Sequence, residues 1–396
     1  MSSRVGGFRF SGIHCGIKAN GRSDLALIAA DEPAAAAGVF TKNLVRAAPV
    51  DLSERRLRKG WCQAVLVNSG NANACTGEQG RRAALSTTKR VAEALGSSAS
   101  LVVPASTGVI GVKLPEEPIE RASSALVDGL SPRNASDFAE AILTTDRGPK
   151  LVSAQLTVGR TKCRMLGIAK GAGMIHPNMA TTLAFVATDA QIRPAALRRI
   201  LARATEATFN RASVDGDTST NDSIYALASG QASNACIEAK GSAADRFEAA
   251  LTEVLESLAK MIVADGEGAE HLVRVRVSGA RTDADAVQIA RTIATSQLVK
   301  TAIHGCDPNW GRILAAAGRS GVRFKPGQVS VQIDRVPIFR DGEPIMTART
   351  EARASRAMLR AEYDVEVRVG AGKGSGHYWT CDLGHEYVRI NADYRS

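Results

Sequence analysis

Lys170-Gly-Ala-Gly-Met-Ile-His-Pro-Asn-Met-Ala-Thr-Thr-Leu-Ala-Phe185 is the stretch on which the reading of this chain turns. Gly171 and Gly173 permit sharp backbone turns, and Pro177 fixes the direction of the exit. The small Ala180 then precedes a hydroxyl residue, Thr181, at the mouth of an apolar strand expected over Leu183 to Thr188. That order can place a hydroxyl group on a rigid element with space before it. A plain loop-to-strand junction, its threonine present for β propensity, accounts for the same letters. Local composition leaves both readings open.

Upstream, Leu151 to Gly159 and Lys162 to Ala169 read as a hairpin turning around Gly159-Arg160, and Gln63 to Val67 as a buried strand feeding the loop Asn68 to Gly77. Arg81 to Leu95 and Pro115 to Leu130 read as helices, the second opened by Pro115 and Glu116-Glu117. Downstream, Ser242 with Asp245 resembles a capping box ahead of a helix to about Ala264, whose Phe247, Leu251, Val254, Leu255, Leu258, Met261 and Ile262 share one face. Val273 to Val277 alternates as a strand, a helix is expected from about Asp283 to Ile303, and Val329, Val331 and Ile333 mark another strand. A helix over Arg349 to Glu362, a strand through Val365, Val367 and Val369, and a last strand over Tyr387 to Ile390 complete the pattern. The mixture predicts an α+β fold of layered helices and largely antiparallel strands.

The bulk numbers narrow the function. With 396 residues, 44% hydrophobic and 23% charged, the chain matches a soluble globular protein, and no run reaches the roughly 18 apolar residues of a membrane helix. The opening Met-Ser-Ser-Arg-Val-Gly-Gly-Phe lacks the apolar core of a signal peptide. Seven scattered cysteines without a CxxC pair point to reduced thiols, hence a cytoplasmic location, and away from a zinc site. The net charge of +10 is dispersed and aromatics are only 4%, which argues against a nucleic-acid partner and suits anionic small molecules. Asp215, Asp217 and Asp222 lack the spacing of a calcium loop, so no metal is expected.

Further blocks recur along the chain: Gly38-Val-Phe-Thr41, Asn68 to Gly77, Ser106-Thr-Gly-Val-Ile-Gly111, Thr144-Thr-Asp146, Val214 to Asp222, Asp265-Gly-Glu-Gly-Ala269, Asp307-Pro-Asn-Trp-Gly-Arg312 and Val388 to Tyr394. With Lys170 to Phe185 they make nine blocks in order, and by them the chain resembles, nearly end to end, the ArgJ family of ornithine (glutamate N-) acetyltransferases. The resemblance implies an ornithine acetyltransferase/aminopeptidase-like fold, a helix–sheet–sheet–helix sandwich. It implies a precursor that cuts itself between Ala180 and Thr181, giving an α chain, 1–180, and a β chain, 181–396, intertwined in one catalytic unit and assembled as an α2β2 heterotetramer. Thr181 would be the nucleophile, with Thr107 and Gly108 stabilising the oxyanion. Thr144, Lys170, Thr181, Glu267, Asn391 and Ser396 would contact substrate.

The implied reaction moves acetyl from N2-acetyl-L-ornithine to L-glutamate in arginine biosynthesis, by ping-pong kinetics through acetyl-Thr181, without metal or organic cofactor. Some relatives also use acetyl-CoA, and nothing in this sequence decides that second activity. The chemistry suits the residue: a threonine freed at its α-amine carries both a nucleophile and, at a reference pKa of roughly 7.7–8.0, its own base. Lys170 could hold a substrate carboxylate and Glu267 a substrate ammonium. His176 and the asparagines of the 68–77 loop read as structural. Two alternatives stand beside this reading: an autoprocessed aminopeptidase or amidohydrolase, and a non-enzymatic amino-acid-binding protein. His176, Cys306 and the tail residues Gly376 to Thr380 and Gly384-His385 look less usual than their surroundings and bear on substrate choice.

Overall fold

The computed structural model describes residues 4–176 and 182–393. Pro177 to Thr181 and Tyr394 to Ser396 lie outside them, so the expectations for Ala180, Thr181 and Ser396 fall beyond the described residues. The chain forms two compact units, one running to Asn210 and resuming over Asp217–Ile262, the other comprising Arg211–Gly216 and the chain from Val263 onward.

The first unit is built on an eight-stranded sheet. In spatial order it runs β4 (Val102–Val109), β3 (Trp61–Asn71), β2 (Leu25–Phe40), β9 (Ser223–Ala228), β7 (Leu183–Thr188), β6 (Thr161–Lys170) and β5 (Lys150–Val158), with β1 (Phe8–Ile13) also paired to β2. The expected hairpin is β5–β6: Val158 pairs with Thr161 across a two-residue turn whose Gly159 has φ +62°, the left-handed geometry a tight hairpin needs. All six residues of β7 and of β9 are buried. This explains their continuous apolar reading, since a central strand covered on both faces shows no alternation. The candidate cleavage position therefore falls inside one sheet: β7 and β9, downstream of it, complete what β1 to β6 begin.

Helix Ser242–Ala264 starts at Ser242 itself, and the Asp245 amide is taken by the Gly241 carbonyl, so the capping box expected of Ser242 does not form. Its apolar face lies on β6. Gly167 is the reason it can come so close: a Cβ there would stand 2.5 Å from Val254 Cγ1 and 2.8 Å from Leu258 Cδ1.

The second unit carries a seven-stranded sheet, ordered β13 (Glu343–Pro344), β12 (Val336–Arg340), β11 (Ser330–Ile333), β14 (Glu362–Arg368), β10 (Leu272–Ala280), β15 (Gly374–Cys381) and β8 (Ala212–Ser213). Val273, Val275 and Val277 of β10 and Val365 and Val367 of β14 enter one core with Ile289, Ala290 and Ile293, as strand alternation requires. Across both sheets antiparallel pairs outnumber parallel ones, the parallel pairs being β3–β4, β7–β9, β10–β14 and β8–β15. The fold is α+β with two mixed sheets.

Three expectations in this unit need correction. The single helix from Asp283 to Ile303 is two, Asp283–Ala294 and Gln297–His304. Ser296 is extended at ψ 115°, and the Ala294 carbonyl accepts the Thr380 hydroxyl at 2.8 Å. The helix expected over Arg349 to Glu362 spans Ala348–Met358, and Glu362 already belongs to β14. The strand expected over Tyr387 to Ile390 is instead helix His385–Asp393. Its i,i+3 pair Glu386–Arg389 and the Asn391 bond to the Tyr387 carbonyl favour that state.

The tight seat of Gly167 yields a test. Gly167→Ala should lower stability by about 1–3 kcal/mol through overpacking, and Leu258→Ala by about 2–5 kcal/mol through a cavity. The exposed Leu85→Glu should stay within about 0.5 kcal/mol. Urea midpoints measure all three, and a neutral Gly167→Ala would contradict this packing.

Candidate active site

Lys170 is the last residue of β6 and pairs in register with Leu183, the first of β7. The side chains expected to work together in the first unit meet at this point. Lys170 Nζ donates to Thr144 Oγ1 at 2.8 Å and Thr107 Oγ1 at 3.1 Å, and lies 3.8 Å from Asp146 Oδ2.

Asp146 organises the group. Its side chain is fully buried, and its carboxylate accepts from Lys150 Nζ at 2.8 Å, the Gly171 amide at 2.6 Å and the Thr144 amide at 3.0 Å. Burial alone would raise its pKa. The Lys170 and Lys150 ammonium groups, with these hydrogen bonds, outweigh burial and hold the carboxyl well below the usual range. The sequence pattern Thr144-Thr-Asp146 displayed this residue without suggesting its role. Lys18 was also unmarked; its ammonium donates to the carbonyls of Ser23 and Leu143, each at 2.8 Å. Burial, followed by repulsion from Arg22 and a lesser one from Lys170, lowers its pKa to about 8.

Thr107 and Gly108 end β4 against β3. Gly108 has φ +131°, and a Cβ there would sit 2.3 Å from the Gly70 carbonyl carbon. No other residue fits this crossing. Behind it lies a buried amide network. Ser106 Oγ donates to Asn68 Oδ1 at 2.6 Å, and Asn68 Nδ2 to the Asn71 carbonyl at 2.8 Å. Asn221 Nδ2 donates to the carbonyls of Ala72 and Ser106 at 2.6 and 2.8 Å. The structural reading of Asn68, Asn71 and Asn73 agrees with these bonds, while Asn221 passed unnoticed within the block Val214 to Asp222. His176 also has a backbone role: its carbonyl accepts from Thr218 Oγ1 at 2.8 Å.

In the second unit Asn391 Nδ2 donates to Glu267 Oε2 at 2.8 Å and to the Tyr387 carbonyl at 3.0 Å. The helical rather than extended tail makes the second contact possible, since residues four apart share a helix face. The loop carrying Glu267 is held by Asp382, whose Oδ1 accepts the amides of Glu270 and His271 at 2.8 and 2.9 Å. Its Oδ2 lies 2.8 Å from His304 Nδ1. Cys306 Sγ sits 3.9 Å from His271 Nε2. Among the described residues no cluster of three or more His, Cys, Asp and Glu side chains is placed to hold a metal ion.

Two stability measurements test this electrostatic arrangement. Asp146→Asn leaves two buried ammonium groups without their anion and should cost about 3–5 kcal/mol, read from urea midpoints. For Lys18 the folded state disfavours the charged form, so its cost is full below about pH 8 and fades as pH approaches 10.5. The stability of the natural chain relative to Lys18→Met should therefore rise across that window. A difference independent of pH would show that Lys18 is not perturbed.

Comparison with known proteins places this geometry in context. A family model described as "ArgJ family" matches residues 9–396. The arginine biosynthesis bifunctional protein ArgJ of Geobacter sulfurreducens is 49% identical over 392 residues, covering 99% of this chain and 100% of that protein. Its counterpart from Thermosynechococcus vestitus is 47% identical over 403 residues, covering 98% and 96%. A crystal structure of ArgJ from Bacillus halodurans is 41% identical and aligns with a TM-score of 0.50, covering 52% of this chain and 96% of that one. The chain belongs to the ArgJ family.

Proposed function

We propose that the chain is an acetyltransferase of arginine biosynthesis that transfers acetyl from N2-acetyl-L-ornithine to L-glutamate through Thr181. The observation that carries this reading is the convergence of Lys170, Thr107 and Thr144 at the end of β6, in register with the start of β7. Thr181 stands two residues before β7 in the sequence.

The first event is self-cleavage. The Thr181 hydroxyl attacks the Ala180 carbonyl, the amide becomes an ester by an N-to-O shift, and water releases Ala180 as a carboxylate and Thr181 as a free amine. The paired chains stay associated because β7 and β9 complete the sheet begun by β1 to β6. The solved Bacillus halodurans chain, matched over 96% of itself by 52% of this one, has the length expected of one cut chain.

In turnover the α-amine takes the Thr181 hydroxyl proton as oxygen attacks the acetyl carbonyl. The Thr107 hydroxyl and the Gly108 amide receive the negative oxygen, each such donor being worth roughly 2.7–4 kcal/mol in other acyl-transfer sites. Ornithine leaves with the proton, the amine of glutamate attacks the acetyl ester, and N-acetylglutamate departs. Thr144, Lys170, Glu267, Asn391 and Ser396 border the substrates. Acetyl-CoA is a second donor, in keeping with the word "bifunctional" in the relatives' names. The assembly is α2β2 and the location cytoplasmic.

Purified protein should show two bands, the new N-terminus reading Thr-Thr-Leu-Ala-Phe. Acetylornithine alone should add one acetyl group to the 181–396 chain, removed on adding glutamate, and acetyl-CoA should label the same residue. A terminus beginning at Thr182 would move the nucleophile. Loss of the label to water as fast as to glutamate would make the protein a hydrolase.

A further inference from the structure

An ammonium group donates three hydrogen bonds and accepts none. In both contacts of Lys170 with threonine the hydroxyl oxygen is therefore the acceptor, at 3.1 Å for Thr107 and 2.8 Å for Thr144. Each hydroxyl has a single proton, and a proton cannot point back at the cation feeding its oxygen. The Thr107 O–H is thus aimed away from Lys170 and has a full positive charge behind it. The remaining side of the ammonium faces Asp146 at 3.8 Å.

From this geometry we infer that Lys170 works through Thr107, as an electrostatic relay that strengthens the Thr107 hydroxyl as donor to the developing oxyanion, and that Asp146 is the positioning residue that aims it. This differs from a clamp on a substrate carboxylate, which needs ammonium hydrogens directed outward. The inference rests on the acetyl-transfer reading given above. Three features favour the relay. Bonds donated by an ionised group are roughly twice as strong as neutral ones, and donation into a hydroxyl oxygen polarises its O–H. The Asp146 carboxylate cannot cancel the field, because Lys150 also draws on it at 2.8 Å and two backbone amides share the rest. Lys18 adds a further cation whose charge is felt by Lys170. The group is thus net positive, as a site for a transient oxyanion requires.

The test is a double-mutant cycle on the full-length, self-processed protein: Thr107→Val, Lys170→Met and the pair, with kcat and KM for acetylornithine measured for each. Two groups acting in series predict that each single change lowers kcat by ~10²–10³-fold with KM little changed, as for loss of one oxyanion donor. The double variant should fall no further than the slower single one. Thr107→Ser, which keeps the hydroxyl, should recover most of kcat. Lys170→Arg, which keeps the charge and tests the idea should Lys170→Met fail to fold, should lose kcat without raising KM.

Losses that multiply in the double variant, or a Lys170 variant that mainly raises KM, would overturn the relay and make Lys170 a direct substrate ligand. Those outcomes leave the transfer reading standing. A natural chain that takes up no acetyl from acetylornithine removes the transfer reading, and the relay with it.

Discussion

A single buried carboxylate holds the first unit's site in shape. Asp146 is surrounded by two ammonium groups and two backbone amides, and three of these belong to segments that meet only in the folded chain: Lys150 at the start of β5, and Lys170 with Gly171 at the end of β6. Placing an ionised carboxylate in a dry interior is costly unless its lone pairs are occupied. Here they are, and the cost of breaking the arrangement is what makes it rigid. Since β5 and β6 are joined by a two-residue turn, closing the hairpin brings Lys150 opposite Ala169 and so beside Lys170. The hairpin register and the ion cluster specify each other.

The opposite wall depends on a different device. Gly70 and Gly108 cross so closely that neither strand end could carry a side chain facing the other. The space left by their missing side chains exposes backbone groups that must be satisfied, and asparagine amides do this from three directions. Asn68 and Asn71 act from β3, and Asn221 from the segment entering β9. Because Asn221 leads into a central strand, the Thr107-Gly108 corner is tied to the sheet's middle as well as its edge. Networks of this kind rigidify when every member is paired, and an oxyanion donor is useful only if it needs no rearrangement when charge develops.

Much of the fold could be read from the sequence, and the failures share a cause. The hairpin at Gly159, the buried strand at Leu183 and the long helix ending near Ala264 follow from patterns that tertiary contacts reinforce. The tail did not, because Tyr387 and Ile390 are compatible with strand alternation and with helical i,i+3 spacing alike. The break at Ser296 was hidden because Thr380, more than eighty positions away, supplies the bond that ends the helix. The same limit applies to the site. Thr107, Gly108, Thr144 and Lys170 were named by their resemblance to family blocks, yet Asp146, Lys18 and Asn221 stand out only when distant segments come together. A buried carboxylate has no sequence signature distinct from an exposed one.

The second unit applies similar logic to the loop of Glu267. Gly268, at φ +71°, passes so near the backbone amide of Tyr387 that a Cβ would lie 2.5 Å from it, which lets helix His385–Asp393 approach the loop and Asn391 reach Glu267. Asp382, just before that helix, fixes the loop's other end through two amides and engages His304 with its second oxygen. A carboxylate that receives an asparagine amide keeps an oxygen available while losing rotational freedom. Glu267 is therefore oriented before any ligand arrives, and the entropy of fixing a long side chain, about 1.5–2 kcal/mol on common scales, is spent in folding instead of in binding. The price is tolerance: a loop fixed by a glycine contact on one side and a buried aspartate on the other can accept few substitutions without releasing the carboxylate it presents.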